Sequence, residues 1–220
     1  MWEGVYAIVR IITAIITGVL GPFIIWWLKE KYEDDEETPS EENRTVTEEV
    51  EFAKQISGEL RSVREEIGSD RVWVSQFHNG GKILRSGANT SMKKISITHE
   101  VTGRAISKEK YKINGILVTF FSNMIKKVID EEHVSYDCTN DEIDPEVQLL
   151  LRERGTKHMD MFAMKNIDGV LIGIMGVDFT TGDEKLSKQE IQYLKVKANL
   201  LAGYLVHGKF TIPEKDENKQ

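Results

Sequence analysis

The chain has 220 residues, 40% hydrophobic and 30% charged, which is room for one domain of ordinary size once the terminal segments are set aside. Its net charge of -7 is concentrated in an acidic run between positions 33 and 42, so the rest is near neutral, without the basic stripe that nucleic acid would require of a main partner. Cys138 is the only cysteine, which rules out an internal disulfide and leaves the redox compartment unspecified.

Residues 1–32 open the chain with 18 uncharged positions from Ile11 to Leu28. As a helix this run spans roughly 27 Å, close to a hydrocarbon core of about 30 Å. Trp26 and Trp27 close it and Trp2 stands near the other end, the aromatic placement of two membrane interfaces. Lys29 and Lys31 can reach back into headgroups. A cleaved leader would end in small residues rather than two tryptophans followed by charges. The segment therefore predicts a single transmembrane anchor in the lipid bilayer.

Ala14, Thr17, Gly18 and Gly21 form overlapping pairs of small residues four apart. Such pairs let helix backbones approach and favour a homodimer or higher homo-oligomer; small residues are also common in membrane helices of any kind. Pro22 bends the run. Basic residues flank both ends, which leaves orientation open. The expected location is a bacterial inner membrane or the membrane of a phage-infected host, with the soluble part on the periplasmic side. Residues 33–46 are acidic and almost free of apolar side chains, and predict an extended, disordered tether.

The body, 47–208, begins with a helix whose Val50, Ala53, Ile56, Leu60, Val63 and Ile67 share helical spacing. "DRVWVSQFHN" is a strand, Asn79-Gly80 a hairpin signal, and "KKISITHEV" a second strand. "NGILVTFFSNMIKKVIDEE" reads as one apolar helix entered at Asn114-Gly115. "HVSY" is a short strand, and "DPEVQLLLRERG" a helix with Pro145 near its start and Gly155 past its end. "KHMDMFAMK" and "VLIGIMGVDF" form a hairpin, whose Asp168-Gly169 favours a primed turn. Ile191, Leu194, Ala198, Leu201 and Leu205 line the inner stripe of a closing helix. A charged, loose tail occupies 209–220.

Five strands with helices at both ends predict an α+β fold: a mainly antiparallel sheet, the terminal helices packed together on one face, the middle helices covering the other and enclosing a pocket.

This order, with "MFAMKNIDGVLIGIMGVDF" followed by "LSKQEIQYLKVKANLLAGYL", resembles the GAF domain family, relatives of PAS domains, over residues 47–207. The resemblance implies a GAF/PAS-like antiparallel sheet flanked by helices and a sensory, non-catalytic role. The whole layout, a membrane helix, a polar tether and a compact domain, also resembles the T-even phage holin family. That likeness implies a lysis-timing protein whose membrane helix oligomerises into a lesion under control of the soluble domain.

The residues point to binding more than to chemistry. The dispersed Asn-Lys-Phe-Asp-Glu signature of cyclic-nucleotide GAF domains has no convincing placement. Cys138 is followed by Thr139, not by the histidine usual at bilin attachment cysteines. His78, His99, His133 and His158 stand apart in sequence, and no metal or other cofactor is expected. Val72, Val74, Gln76 and His78 share one strand face. Setting Trp73 and Phe77 against the terminal helices turns Gln76 and His78, with Asn79 beyond them, toward the pocket, where His99 on the next strand joins them. Gln76, His78, Asn79, His99 and Asp178 are thus the candidate contacts to a small-molecule or protein ligand. The commoner alternative is that both histidines satisfy loop carbonyls near strand ends. Asp178 either enters the pocket or caps the turn containing Thr180 and Thr181.

Overall fold

The computed structural model describes residues 46–80, 92–140, 143–181 and 185–207, all within the compact unit Val46–Gln220. The expected anchor with Trp2, Ala14, Thr17, Gly18, Gly21, Trp26 and Trp27, the tether up to 45, and the tail lie outside the described residues. Among the described residues no helix is long and apolar enough to cross a membrane.

Helix α1, Val46–Ile67, buries Phe52, Ile56, Leu60 and Val63. Val50, placed on the inner stripe by spacing, is 47% exposed. Two helical positions are about 200° apart, so burying Phe52 turns Val50 outward. Strands β1, Arg71–His78, and β2, Lys94–Thr102, follow. They pair antiparallel from Arg71 opposite Thr102 to His78 opposite Lys94. Gly80 has φ +105, yet β2 begins only at Lys94, so Asn79-Gly80 does not join β1 to β2 as a two-residue hairpin.

The long helix expected from Asn114 is not continuous. Ile116–Leu117 form β3, paired with Lys94 and Ile95 of β2. A single 3-10 turn, Val118–Phe121, leads into α2, Ser122–Glu131. Ile116 and Leu117 leave the helix because the open edge of β2 at Lys94 and Ile95 supplies backbone partners for them. The sheet therefore has six strands, not five. After β4, His133–Asp137, and α3, Pro145–Glu153, come β5, His158–Lys165, and β6, Leu171–Phe179. The order across the sheet is β3-β2-β1-β6-β5-β4, and every pair is antiparallel.

The β5–β6 connection is a five-residue loop. Asn166 Oδ1 accepts the backbone N–H groups of Asp168 and Val170. Gly169 has positive φ, +77, and Asp168 does not, so the primed turn expected at Asp168-Gly169, which needs positive φ at its first central residue, does not form. Helix α4, Lys188–His207, starts with a reciprocal cap: Ser187 N–H donates to Glu190 Oε2 at 2.7 Å and Glu190 N–H to Ser187 Oγ at 3.3 Å.

Helices α1 and α4 cover one face of the sheet, with Val72, Val74, Met175 and Val177 beneath Ile56, Leu60, Leu194 and Leu201. The 3-10 turn, α2 and α3 cover the other, where Trp73, Phe77, Ile95, Ile97 and Ile174 meet Phe121, Met124, Val128 and Leu151. This is the expected division of helices between faces, but β1 is inverted relative to expectation. Val72 and Val74, not Trp73 and Phe77, lie under the terminal helices. Gly176, opposite Trp73, explains the choice: the indole lies against the Gly176 Cα, where a Cβ would collide with the ring. A tryptophan that must lie across a glycine takes that glycine's face.

Candidate functional site

The middle-helix face encloses an apolar cavity where a GAF-like pocket was expected. Trp73, Ser75, Ile97, Phe121, Met124 and Met161 are among its walls, and its volume is about 20 Å³. That is room for about one water molecule. The protein's own side chains fill the rest.

Beyond the Trp73 end of this cavity lies a buried set of four charges that no single stretch of sequence reveals. Arg71 and Arg154 stand against Asp178 and Glu100, each with a side chain no more than 1% exposed. Asp178 Oδ2 accepts from Arg71 Nη1 at 2.8 Å and from Arg154 Nη2 at 2.7 Å. Its Oδ1 accepts the Trp73 indole N–H at 2.9 Å. The Arg154 guanidinium lies 5.3 Å from the centre of the Trp73 ring. Glu100 Oε1 is 3.3 Å from Arg71 Nε, while Oε2 accepts the backbone N–H groups of Glu109 and Lys110. Arg71 also donates to the Ser107 and Arg154 carbonyls. Burial alone pushes the Asp178 carboxyl up, but the Arg154 and Arg71 guanidinium groups and the Trp73 N–H together hold it below the ordinary carboxylate range.

Two positive and two negative charges balance, and the set ties two segments to strands β1, β2 and β6 of the sheet: the segment after β2 and the end of α3. Asp178 faces the pocket side, as one of its two expected roles required. It does not cap the following turn. Asp70 does, accepting both the backbone N–H and the hydroxyl of Thr180 at 2.7 Å.

Gln76, His78 and His99 do share a face, but it is the terminal-helix face, opposite the cavity. The β1–β2 pairing slips between Val74 and Ser75: Val74 is opposite His99 and Ser75 opposite Ile97, so Thr98 is the extra residue of a bulge. Simple alternation puts His99 beside Ile95 and Ile97. The bulge turns His99 over and brings Glu100 opposite Trp73 instead. Thr98 then bridges the polar residues, donating to Gln76 Oε1 at 2.9 Å and lying 3.0 Å from His99 Nδ1. Burial first, then Lys110, pushes the His99 imidazole down to about 4, Glu49 opposing. His78 Nε2 lies 2.8 Å from Ser96 Oγ, which donates to Asn114 Oδ1 and accepts from the Gly115 N–H. The Gly80 N–H donates to His78 Nδ1, and burial with Lys94 nearby lowers the His78 pKa. Asn79 is exposed at the end of β1. This chain fastens the ends of β1 and β2 to the entry of β3.

Two histidines that stand apart in sequence meet across β4 and β5. His133 Nε2 lies 2.8 Å from Asp160 Oδ1, and His158 Nε2 lies 3.0 Å from Asp160 Oδ2. Ser135 Oγ is 3.1 Å from His158 Nε2. Serine and aspartate thus crowd the same ring nitrogen. A nucleophilic relay needs them on opposite nitrogens, so these three residues do not form one. Among the described residues no group of three or more ligating side chains is placed to hold a metal ion.

Arg71, Glu100, Arg154, His133, His158 and Asp160 all escape a site search by motif. Arg71 and Asp160 carry one sequence signal, a charge inside an otherwise apolar strand, in "DRVWV" and "HMDMF"; Arg154, just past the end of α3, carries none.

No family model matches the sequence, and no characterised protein matches it by sequence. Solved structures do match. The GAF domain of PixJ from Thermosynechococcus elongatus, in its blue-light-absorbing form, is 13% identical with a TM-score of 0.58, over 74% of this chain and 90% of that one. A phycoerythrobilin-bound GAF domain from a cyanobacterial phytochrome is 14% identical with a TM-score of 0.56, over 71% and 86%. A GAF domain/HD domain protein from Geobacter sulfurreducens is 13% identical with a TM-score of 0.54, over 71% and 93%. The body of the chain has a GAF-like fold.

Proposed function

We propose that this protein is a membrane-anchored GAF-like module that acts by binding a ligand or a protein partner and by self-association, not by catalysis. The observation that carries the reading is the division of the sheet: terminal helices on one face, and on the other a closed layer of middle helices over an apolar cavity. A GAF domain of similar fold is bound to phycoerythrobilin. In this chain the layer beneath the middle helices is filled, since about 20 Å³ is far below the several hundred Å³ of a ligand pocket. That favours a protein partner, or a ligand bound elsewhere on the domain. The anchor is the uncharged run Ile11–Leu28, with Trp2, Trp26 and Trp27 at the interfaces and Ala14, Thr17, Gly18 and Gly21 on the associating face.

Alkaline carbonate extraction of membranes from cells expressing the full chain tests the anchor. The chain is expected in the pellet; its release to the supernatant would refute the anchored reading. Cross-linking tests self-association: Gly18→Leu with Gly21→Leu is expected to reduce the dimer band.

The small-residue face also supports a lysis role, in which the anchor assembles into a lesion. Expression would then collapse culture density and membrane potential abruptly, and Gly18→Leu would prevent it. Unaffected growth at high membrane levels would rule the lysis role out.

A further inference from the structure

A second cavity, about 360 Å³, lies away from the GAF-like pocket. It is a groove between α4, the β5–β6 loop and Glu132, the residue that follows α2. Lys195 and Asn199 form one wall, one helical turn apart on α4. The other wall holds Lys165 and Glu132, paired at 2.6 Å. The loop end is fixed, because the Asn166 carbonyl oxygen already accepts two backbone N–H groups. Ile167, 88% exposed, stands at the rim.

Among the described residues neither the Lys195 nor the Asn199 side chain makes a hydrogen bond or a close ion pair, and Lys195 acts on Glu132 only through space, so the wall of α4 presents an ammonium and a carboxamide with hydrogen-bonding capacity to spare. Glu132 is charged at neutral pH, since its hydrogen bond from Lys165 and the charges of Lys165 and Lys195 lower its pKa. Two ammonium groups and one carboxylate leave the groove with a single net positive charge. A monoanion balances it, whereas a dianion meets Glu132 with a surplus negative charge. The exposed Ile167 side chain at the rim supplies apolar contact for a short hydrocarbon part.

We propose that this groove is a binding site for a small, singly charged carboxylate with an apolar body, held by Lys195 and Asn199. The proposal rests on the binding-module reading and gives it a ligand class and a location.

The test is a titration of the isotope-labelled full chain in a non-ionic detergent, followed by backbone amide shifts. The probes are 4-methylpentanoate and, separately, inorganic phosphate at neutral pH. Saturable shifts at Ile167, Gly169, Lys195 and Asn199 are expected with 4-methylpentanoate, at least tenfold weaker in Lys195→Gln, and at least tenfold weaker for phosphate. Lys195 is not part of the core, so the unbound spectrum of Lys195→Gln should otherwise be unchanged. Absence of saturable groove shifts, equal binding by Lys195→Gln, phosphate binding as tightly as the carboxylate, or shifts confined to the inner cavity would each overturn the assignment. None of these outcomes depends on whether the chain stays with the membrane pellet, so the two readings fail independently.

Discussion

The two ends of β1 hold polar clusters of opposite kinds. At Arg71 four charged side chains are wholly buried and balance one another; at His78 uncharged groups form a half-buried chain through Ser96 to Asn114. Removing one charge at the first end strands another inside low dielectric, whereas removing a hydroxyl or imidazole at the second leaves partners that water can reach. The same strand thus carries a site of high energetic stakes and one of low stakes, and the motif-like end, "HN" before two glycines, is the low one.

The sharpest way to break this comparison is Asp178→Asn. It leaves Arg71 and Arg154 facing each other without their shared carboxylate and should cost about 3–5 kcal/mol in urea unfolding. A loss under about 1 kcal/mol would mean that water reaches the set. Gly176→Ala acts beside it through packing, forcing the Trp73 indole from its seat and from Asp178. A loss of about 1–3 kcal/mol is expected from thermal or urea unfolding. At the other end, Ser96→Ala should cost only about 1 kcal/mol by the same measurement, despite touching His78, Asn114 and Gly115.

His99 sharpens the contrast by pH. Its folded pKa, about 4, lies below the ordinary histidine value near 6.5, so the unfolded chain binds the proton more readily. Its contribution to stability is therefore complete above about pH 6.5 and is lost as pH falls toward 4. An NMR titration of the His99 ring should show a midpoint near 4, and His99→Gln should flatten the stability profile across that window. A ring midpoint near 6.5 would place His99 in solvent.

Much of the architecture was legible in the sequence because it depends on period and punctuation. Ile56, Leu60 and Val63 mark α1; Leu194, Ala198 and Leu201 mark α4; Pro145 and Gly155 bracket α3. The division of terminal and middle helices between the two faces follows from their order. Where reading failed, the competing effect is identifiable. Ile116 and Leu117 looked helical in a long apolar run, but an open edge on β2 drew them into the sheet. His99 looked aligned with Ile97, but one extra residue, Thr98, reversed it.

The candidate site was less legible than the fold. Asp178 alone of the buried charges was singled out, and its partners lie at sequence separations of 107 for Arg71 and 24 for Arg154. His133 and His158 looked isolated because their common partner, Asp160, is found only through the β4–β5 register.

The sequence by itself determined the elements, their order and the α+β class, because these rest on local periodicity, caps and the apolar pattern along each segment. Only the tertiary structure decided which face of β1 is inside, which charges share a carboxylate, and that the inner cavity is filled while a larger groove opens beside α4. Those outcomes depend on register, on a single bulge and on which side chain must cross a glycine, and none of them leaves a mark within one turn or one strand.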